Sequence, residues 1–360
     1  MTETNDSNVT AVDVFGTKKI YQDAPNGPQW DSRIWNNSKE RTVISGSKDP
    51  YDTTLCSENR GNTKWTIDGK GNLLFNQPLS SSTSEPRFHL NNPSKYFFRD
   101  IEATFYMMKI ADSNVAYAGC CLGSRSGPNG HSIPADYCDA HTYYQRIRND
   151  CTVDCEKEAK HNLSLPKGSP MSWPNGKKTF PENIWVGFKY VAHNINKNTG
   201  IHFELYRDMT GGLNSGNWEL LQSIDDTGGW IPPQTAPKCS YAPDYIPIQG
   251  GGVVILRQTS LNVMHFLYTK MTVREIIPTL ADPADFEMTL GLHLPVPVEF
   301  EPGRCTTEHV EAVTECRTCE NGECPIECDE SEDTDASEDT DSDETAPPIE
   351  QPKNSWCGFL

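Results

Sequence analysis

An all-β sandwich of two antiparallel sheets is the fold this sequence predicts, and three observations carry the prediction. Between Val14 and Ile277, short alternating or apolar runs are separated by Gly, Asn, Asp and Pro, the punctuation of strands and turns. Almost no stretch in that range repeats with the helical period of 3.6. The chain of 360 residues is long enough for one large all-β domain with appendages.

The elements follow in order. Residues 1–13 are polar and read as an unstructured N-terminus. The alternation of apolar and polar residues predicts strands at Lys64–Asp68, Asn72–Phe75, Asp100–Lys109, Thr142–Arg148 and Val153–Glu158. It continues at Ile184–Asn194, Gly200–Asp208, Trp218–Ser223, Gly252–Gln258 and Val263–Glu275. Turn chemistry supports the breaks: Asp68-Gly69 and Lys70-Gly71 divide the first two strands, and Asn198 to Gly200 divide two strongly alternating ones. Residues 278–304 contain several prolines and read as a linker or wrapping segment. Residues 305–328 hold Cys305, Cys316, Cys319, Cys324 and Cys328, spaced for disulfides more than for zinc because no histidine partner completes a metal set. Residues 329–360 open with an acidic run that cannot bury a core.

Charge and cysteine content bound the function. Residues 301–360 carry 18 acids and three bases, so the tail holds 15 of the 19 net negative charges. The body, with 32 acids and 28 bases, has no basic field for nucleic acid. No run of eighteen apolar residues exists to insert in a membrane. Thirteen cysteines point to an oxidising compartment and a disulfide-bonded protein, and the odd count leaves at least one thiol that is free or pairs with another chain. Asn5, Asn8, Asn36 and Asn162 head glycosylation sequons. Together these place the protein outside the cell or at its surface, although MTETNDSNVTAVD has neither the basic nor the apolar region of a secretory leader.

The densest concentration of chemistry is Thr142 to His161, TYYQRIRNDCTVDCEKEAKH. Strand parity sends Tyr144, Arg146 and Arg148 to one face and Tyr143, Gln145 and Ile147 to the other. The register of the hairpin that follows decides what the first face is. A two-residue turn at Asp150 and Cys151 would set Arg146 opposite Cys155 and Tyr144 opposite Lys157, an anion-binding row. A three- or five-residue loop would set the arginines beside Asp154, Glu156 and Glu158, a structural row of cross-strand ion pairs.

The blocks FGTKKIY (15–21), WDSRIWNN (30–37), IDGKGNLL (67–74), YYQRIR (143–148), WVGFKYVAHNI (185–195), HFELYRD (202–208) and YTKMTVREI (268–276) resemble a family of microbial extracellular concanavalin-A-like jelly-roll proteins. The resemblance covers about Val14 to Ile277. It implies a two-sheet sandwich with a concave carbohydrate-facing sheet, a shape shared by lectins, glucanases and several polysaccharide lyases. The Cys-rich acidic tail lies outside it, and Cys151 stands where a turn glycine is expected.

Three functions fit such a sheet. Cleavage of a uronate-containing polysaccharide by β-elimination needs a cation on the sugar carboxylate, a base for the C5 proton and an acid for the leaving oxygen. Arg146 and Arg148 suit the carboxylate. Tyr144 would serve as base and acid if a cation lowered its pKa, with His161 or His131 as alternative bases. Gln145, Lys157, Lys189 and Arg257 are expected to line the same cleft as substrate-binding groups. A non-catalytic, lectin-like module is the rival, with Trp173, Trp185, Trp218 and Trp230 available to stack on sugars or to pack the core. A jelly-roll glycoside hydrolase ranks third: Asp154, Glu156 and Glu158 alternate about 6.6 Å apart along a strand, but in the order Asp-x-Glu-x-Glu. No cofactor is required by any of these. Asp68 and Asn72 could ligate a structural calcium ion through their oxygens, while a plain hairpin turn explains the same residues.

Overall fold

The computed structural model describes residues 11–43, 49–58, 64–77, 87–91, 98–112, 115–116, 119–126, 140–160, 163–177, 179–232, 244–250, 253–258 and 264–280. The strands of the N-terminal third are β1 (Tyr21–Asp23), β2 (Gln29–Asp31), β3 (Arg41–Val43), β4 (Leu55–Glu58), β5 (Lys64–Ile67), β6 (Leu73–Gln77) and β7 (Arg87–Asn91). The middle supplies β8 (Ile101–Asp112), β9 (Gly119–Ser124), β10 (Thr142–Arg148), β11 (Thr152–Lys160) and β12 (Leu163–Pro170). Then come β13 (Trp185–Ile195), β14 (Gly200–Asp208), β15 (Trp218–Asp226), β16 (Val253–Gln258) and β17 (Met264–Leu280).

They form two antiparallel sheets. A ten-stranded sheet runs β15-β14-β13-β8-β17-β6-β5-β3, with β1 and β2 pairing along the C-terminal half of β17. A seven-stranded sheet runs β12-β11-β10-β9-β16-β7-β4. The chain passes repeatedly from one sheet to the other, as in a jelly roll, while β9 to β12 and β13 to β15 each run as consecutive antiparallel neighbours within one sheet. Every strand expected from the sequence is present. The short β1, β2, β3, β4, β7, β9 and β12 were not anticipated, and β17 continues through Pro278, where a linker was expected to begin.

The core fills the space between the layers with aromatic side chains, as alternation demands. Trp65 of the larger sheet is fully buried, 5.2 Å from Phe88 of the smaller sheet and 4.4 Å from Phe75. Phe105 stacks on Tyr190 at 5.4 Å, and Tyr143 meets Phe203 across the layers at 4.7 Å. Each such ring contributes roughly 1.5–3 kcal/mol by burial. Trp173 and Trp230 also belong to this core, so the packing reading holds for these two tryptophans.

The far side of the ten-stranded sheet is covered too. Tyr21 packs there with Val191, Tyr206 and Ile276, and its hydroxyl donates to Glu204 at 2.9 Å. That is why β13 is buried along nearly its whole length instead of alternately. Cys120, Cys121 and Cys155 are buried thiols and not disulfides, which corrects the oxidised reading for these three. The tail cysteines and the sequons at Asn5, Asn8 and Asn162 lie outside the described residues. Among the described residues, no helix is long and apolar enough to cross a membrane.

Candidate functional site

The β10–β11 register settles the face of the TYYQRIR strand. Tyr144 lies opposite Glu156, Arg146 opposite Asp154 and Ile147 opposite Val153, so the loop is the three-residue kind. Cys151 takes the left-handed position of that loop at φ 64°, the place where a glycine would sit without strain. Arg146 therefore grips Asp154, Nε to Oδ1 at 3.1 Å and an Nη to Oδ2 at 3.0 Å, and reaches Glu156 at 3.1 Å. Burial alone would make Arg146 easier to deprotonate, but Asp154 and Glu156 outweigh it and raise its pKa. Arg148 pairs with Asp150 and lies 3.5 Å from Asp154. The arginines expected to hold a substrate carboxylate already hold protein carboxylates, and two of the three acids of the glycosidase reading are occupied with them.

Other expectations fall on the wrong side of the sheet. Gln145 points into the sandwich and donates to the Glu204 carbonyl of the opposite layer at 2.7 Å. Lys157 is likewise internal, bound to Asp226 at 2.7 Å and Asp244 at 2.8 Å, with Tyr143 donating to the same Asp226 at 2.5 Å. Lys189 lies on the ten-stranded sheet, bound to Glu102 at 2.9 Å and Thr104 at 2.8 Å, and does not line a cleft with Tyr144. His161 and His131 lie outside the described residues.

Asp68 and Asn72 follow the hairpin reading. Asp68 Oδ1 accepts the Lys70 and Asn72 amides, and Oδ2 accepts the Asn72 side-chain amide at 2.7 Å. Gly69, at φ 74°, would set a Cβ 2.2 Å from the Ser38 carbonyl oxygen, so the turn also requires glycine there. Among the described residues no group of His, Cys, Asp and Glu could hold a metal ion.

What the structure does bring together is a constellation on the outer face of the seven-stranded sheet. Leu122, Val254, Leu256, Phe88 and Leu90 belong to the core, so parity turns their neighbours outward. One transverse row then runs Glu156, Tyr144, Gly123, Ile255 and His89; the next runs Asp154, Arg146, Cys121, Arg257 and Arg87. Arg257, expected to line the same cleft as Tyr144, has its guanidinium 4.9 Å over the Tyr144 ring. Gly123 makes room for that ring: a Cβ at 123 would fall 2.8 Å from Tyr144 Cε1.

These side chains are buried: Tyr144, His89 and Arg87 are 1%, 5% and 3% exposed, and Arg257 9%. Charges there act in a low dielectric and count for more than on an open sheet. Tyr144 is not activated as a base. Burial raises its pKa, aided by Glu158 and Cys121, and the opposing pull of Arg87 and Arg257 does not offset this. A phenol so held keeps its proton and can donate it. Arg87 and His89 escaped sequence reasoning, although RFHL shows the alternation of cationic and apolar residues that singled out YYQRIR.

No family model matches this chain, and no curated protein sequence is similar to it. Solved structures align with part of it at low scores. Arcelin-5, a lectin-like defense protein from Phaseolus vulgaris, aligns with 66% of this chain and 97% of its own at 11% identity and a TM-score of 0.37. The exoplasmic/lumenal domain of VIP36, in a Ca2+/Man3GlcNAc-bound form, aligns with 69% of this chain and 96% of its own at 11% identity and 0.36. The carbohydrate recognition domain of Emp47p aligns with 67% and 99% at 9% identity and 0.35. At such identities and scores, function has to be argued from this chain's own residues.

Proposed function

We propose that the outer face of the seven-stranded sheet binds an acidic saccharide. The observation that carries the reading is the adjacency of Arg257 and Arg87 in register, one row from Tyr144 and His89. Two guanidinium groups on neighbouring strands match a planar sugar carboxylate, which each can bind through parallel hydrogen bonds. The Tyr144 ring beneath Arg257 adds a flat surface with a polar tip. The binding groups are thus Arg87, His89, Tyr144 and Arg257, in place of the Arg146 and Arg148 pair.

A second reading, β-elimination, is favoured by one further alignment: His89 and Tyr144 occupy the same row, separated by Gly123 and Ile255. An imidazole able to take the C5 proton and a phenol able to supply one to the leaving oxygen would then flank a carboxylate held by two arginines.

One experiment separates them. The full chain is incubated with alginate, glucuronan, pectate and glycosaminoglycans, following both retention on the immobilised polymer and the ultraviolet absorbance of unsaturated uronate ends. Retention on at least one polymer is expected, weakened by salt and reduced about 10- to 100-fold by Arg257→Ala, as loss of a charged hydrogen-bonding group implies. Retention without absorbance establishes binding alone, and absorbance abolished by His89→Ala establishes the lyase. A protein retained by none of the polymers sinks both readings.

A further inference from the structure

The ten-stranded sheet carries a second candidate site, unrelated to the arginine face. A cavity of about 280 Å³ opens where β1 and β2 meet β17, walled on its far side by the N-terminal segment at Val12, Asp13 and Val14. The pairings of Thr272 with Asp31 and of Arg274 with Gln29 put these four side chains on the outward face, because Val273 and Trp30 between them belong to the core.

The chemistry of its lining is specific. Asp13 Oδ1 accepts the amides of Phe15 and Thr17, each at 2.9 Å. Its other oxygen, Oδ2, is buried and among the described residues has no hydrogen-bond partner. Thr272, only 5% exposed, likewise has its Oγ1 buried with no partner. Two such groups beside one cavity call for an occupant that both donates and accepts, since an unmet buried polar group costs about 1–3 kcal/mol. The apolar lining comes from the side chains of Val12 and Val14.

The charges exclude an anion. Lys19 is held by Asp23 at 2.5 Å, and Arg274 by Asp23 at 2.7 Å and by Glu102. Asp31 is held by Arg33 at 2.7 Å. What remains is one carboxylate oxygen, one hydroxyl, the Gln29 amide and hydrocarbon. A metal ion needs more oxygen ligands than that. A pyranose, whose hydroxyls both donate and accept and whose ring carbons are apolar, meets each of them.

We propose that this cavity is a saccharide site that takes a single neutral sugar residue, so that the protein grips glycan on both sides of the sandwich. The test is calorimetric titration of the full chain with glucose, mannose, galactose and N-acetylglucosamine, with glucuronate and ethanolamine as anionic and cationic probes. Saturable heat is expected with at least one neutral sugar. Thr272→Val, which keeps the side-chain volume, is expected to weaken that binding about tenfold, the value of one hydrogen bond. Gln29→Ala, an exposed position whose loss leaves the core intact, should weaken it as well, and Arg257→Ala on the other sheet should leave it unchanged. Heat with ethanolamine or glucuronate alone overturns the proposal, as does heat with a sugar that neither Thr272→Val nor Gln29→Ala diminishes, or no heat with any neutral sugar.

Discussion

Replacing Glu102 with glutamine is expected to destabilise the sandwich by about 3–5 kcal/mol, the cost of breaking a buried ion pair from one side. Glu102 is fully buried on β8. Its carboxylate accepts the Lys189 ammonium at 2.9 Å, the Arg274 guanidinium, and the backbone amides of Ile20 and Tyr21, each at 3.0 Å. Glutamine fits the space but leaves two cations under-compensated and offers only one oxygen to four donors. The same group sets an acid limit. Burial opposes its ionisation, yet Arg274 and Lys189 prevail and hold its pKa down to about 2. A carboxyl whose folded pKa is depressed contributes stability that is complete above its unfolded value, near 4.3, and is lost as pH falls toward the folded one. Urea melts between pH 6 and 2 should show the wild type weakening below about pH 4.5 and the variant following a flatter course. A Glu102→Gln protein with the wild-type midpoint at pH 7 would remove the ion cluster from the forces that hold this sheet.

The second large effect is expected at Arg146, and it separates structure from function. Arg146→Ala removes the main partner of Asp154, whose side chain is 1% exposed, leaving it, among the described residues, Arg148 at 3.5 Å. A loss of about 3–5 kcal/mol should follow, read as a lower urea midpoint with an unchanged slope. Retention on acidic polymers, measured where the variant is still folded, should remain near wild type, because Arg87 and Arg257 are the binding arginines of the proposed site. If Arg146→Ala instead lost binding while keeping its stability, the roles of the two arginine pairs would have to be exchanged.

How far the sequence could be read is clearest in the strand that carries Arg146. Parity alone separated Tyr144, Arg146 and Arg148 from Tyr143, Gln145 and Ile147, because the period of two is a local property of the backbone. Register was not local in the same sense. It turned on whether Cys151 would accept a left-handed φ, which a β-carbon discourages but does not forbid. Lys157 illustrates a different limit. It was expected to line the cleft beside Tyr144, and a buried ammonium becomes intelligible only when Asp226 and Asp244 arrive from far along the chain. Lys189 required the order of strands, which no alternation encodes. Arg87 and His89 had the right pattern, but β7 pairs with β4 and β16, neither an immediate hairpin partner, so no turn signal marked it.

The pairing of β1 and β2 with β17 bears on how the molecule is made. Tyr21 pairs with Leu280 and Trp30 with Val273, so the earliest strands complete their hydrogen bonding with the last. A ribosome adding about 5–20 residues per second delivers β17 on the order of ten to fifty seconds after β1. Through that interval the edges of β1 and β2, and the side of β13 that Tyr21 later covers, lack their native partners. The interval is a window for misassociation during synthesis, and the pairing of β1 and β2 with β17 has to wait until β17 has been made.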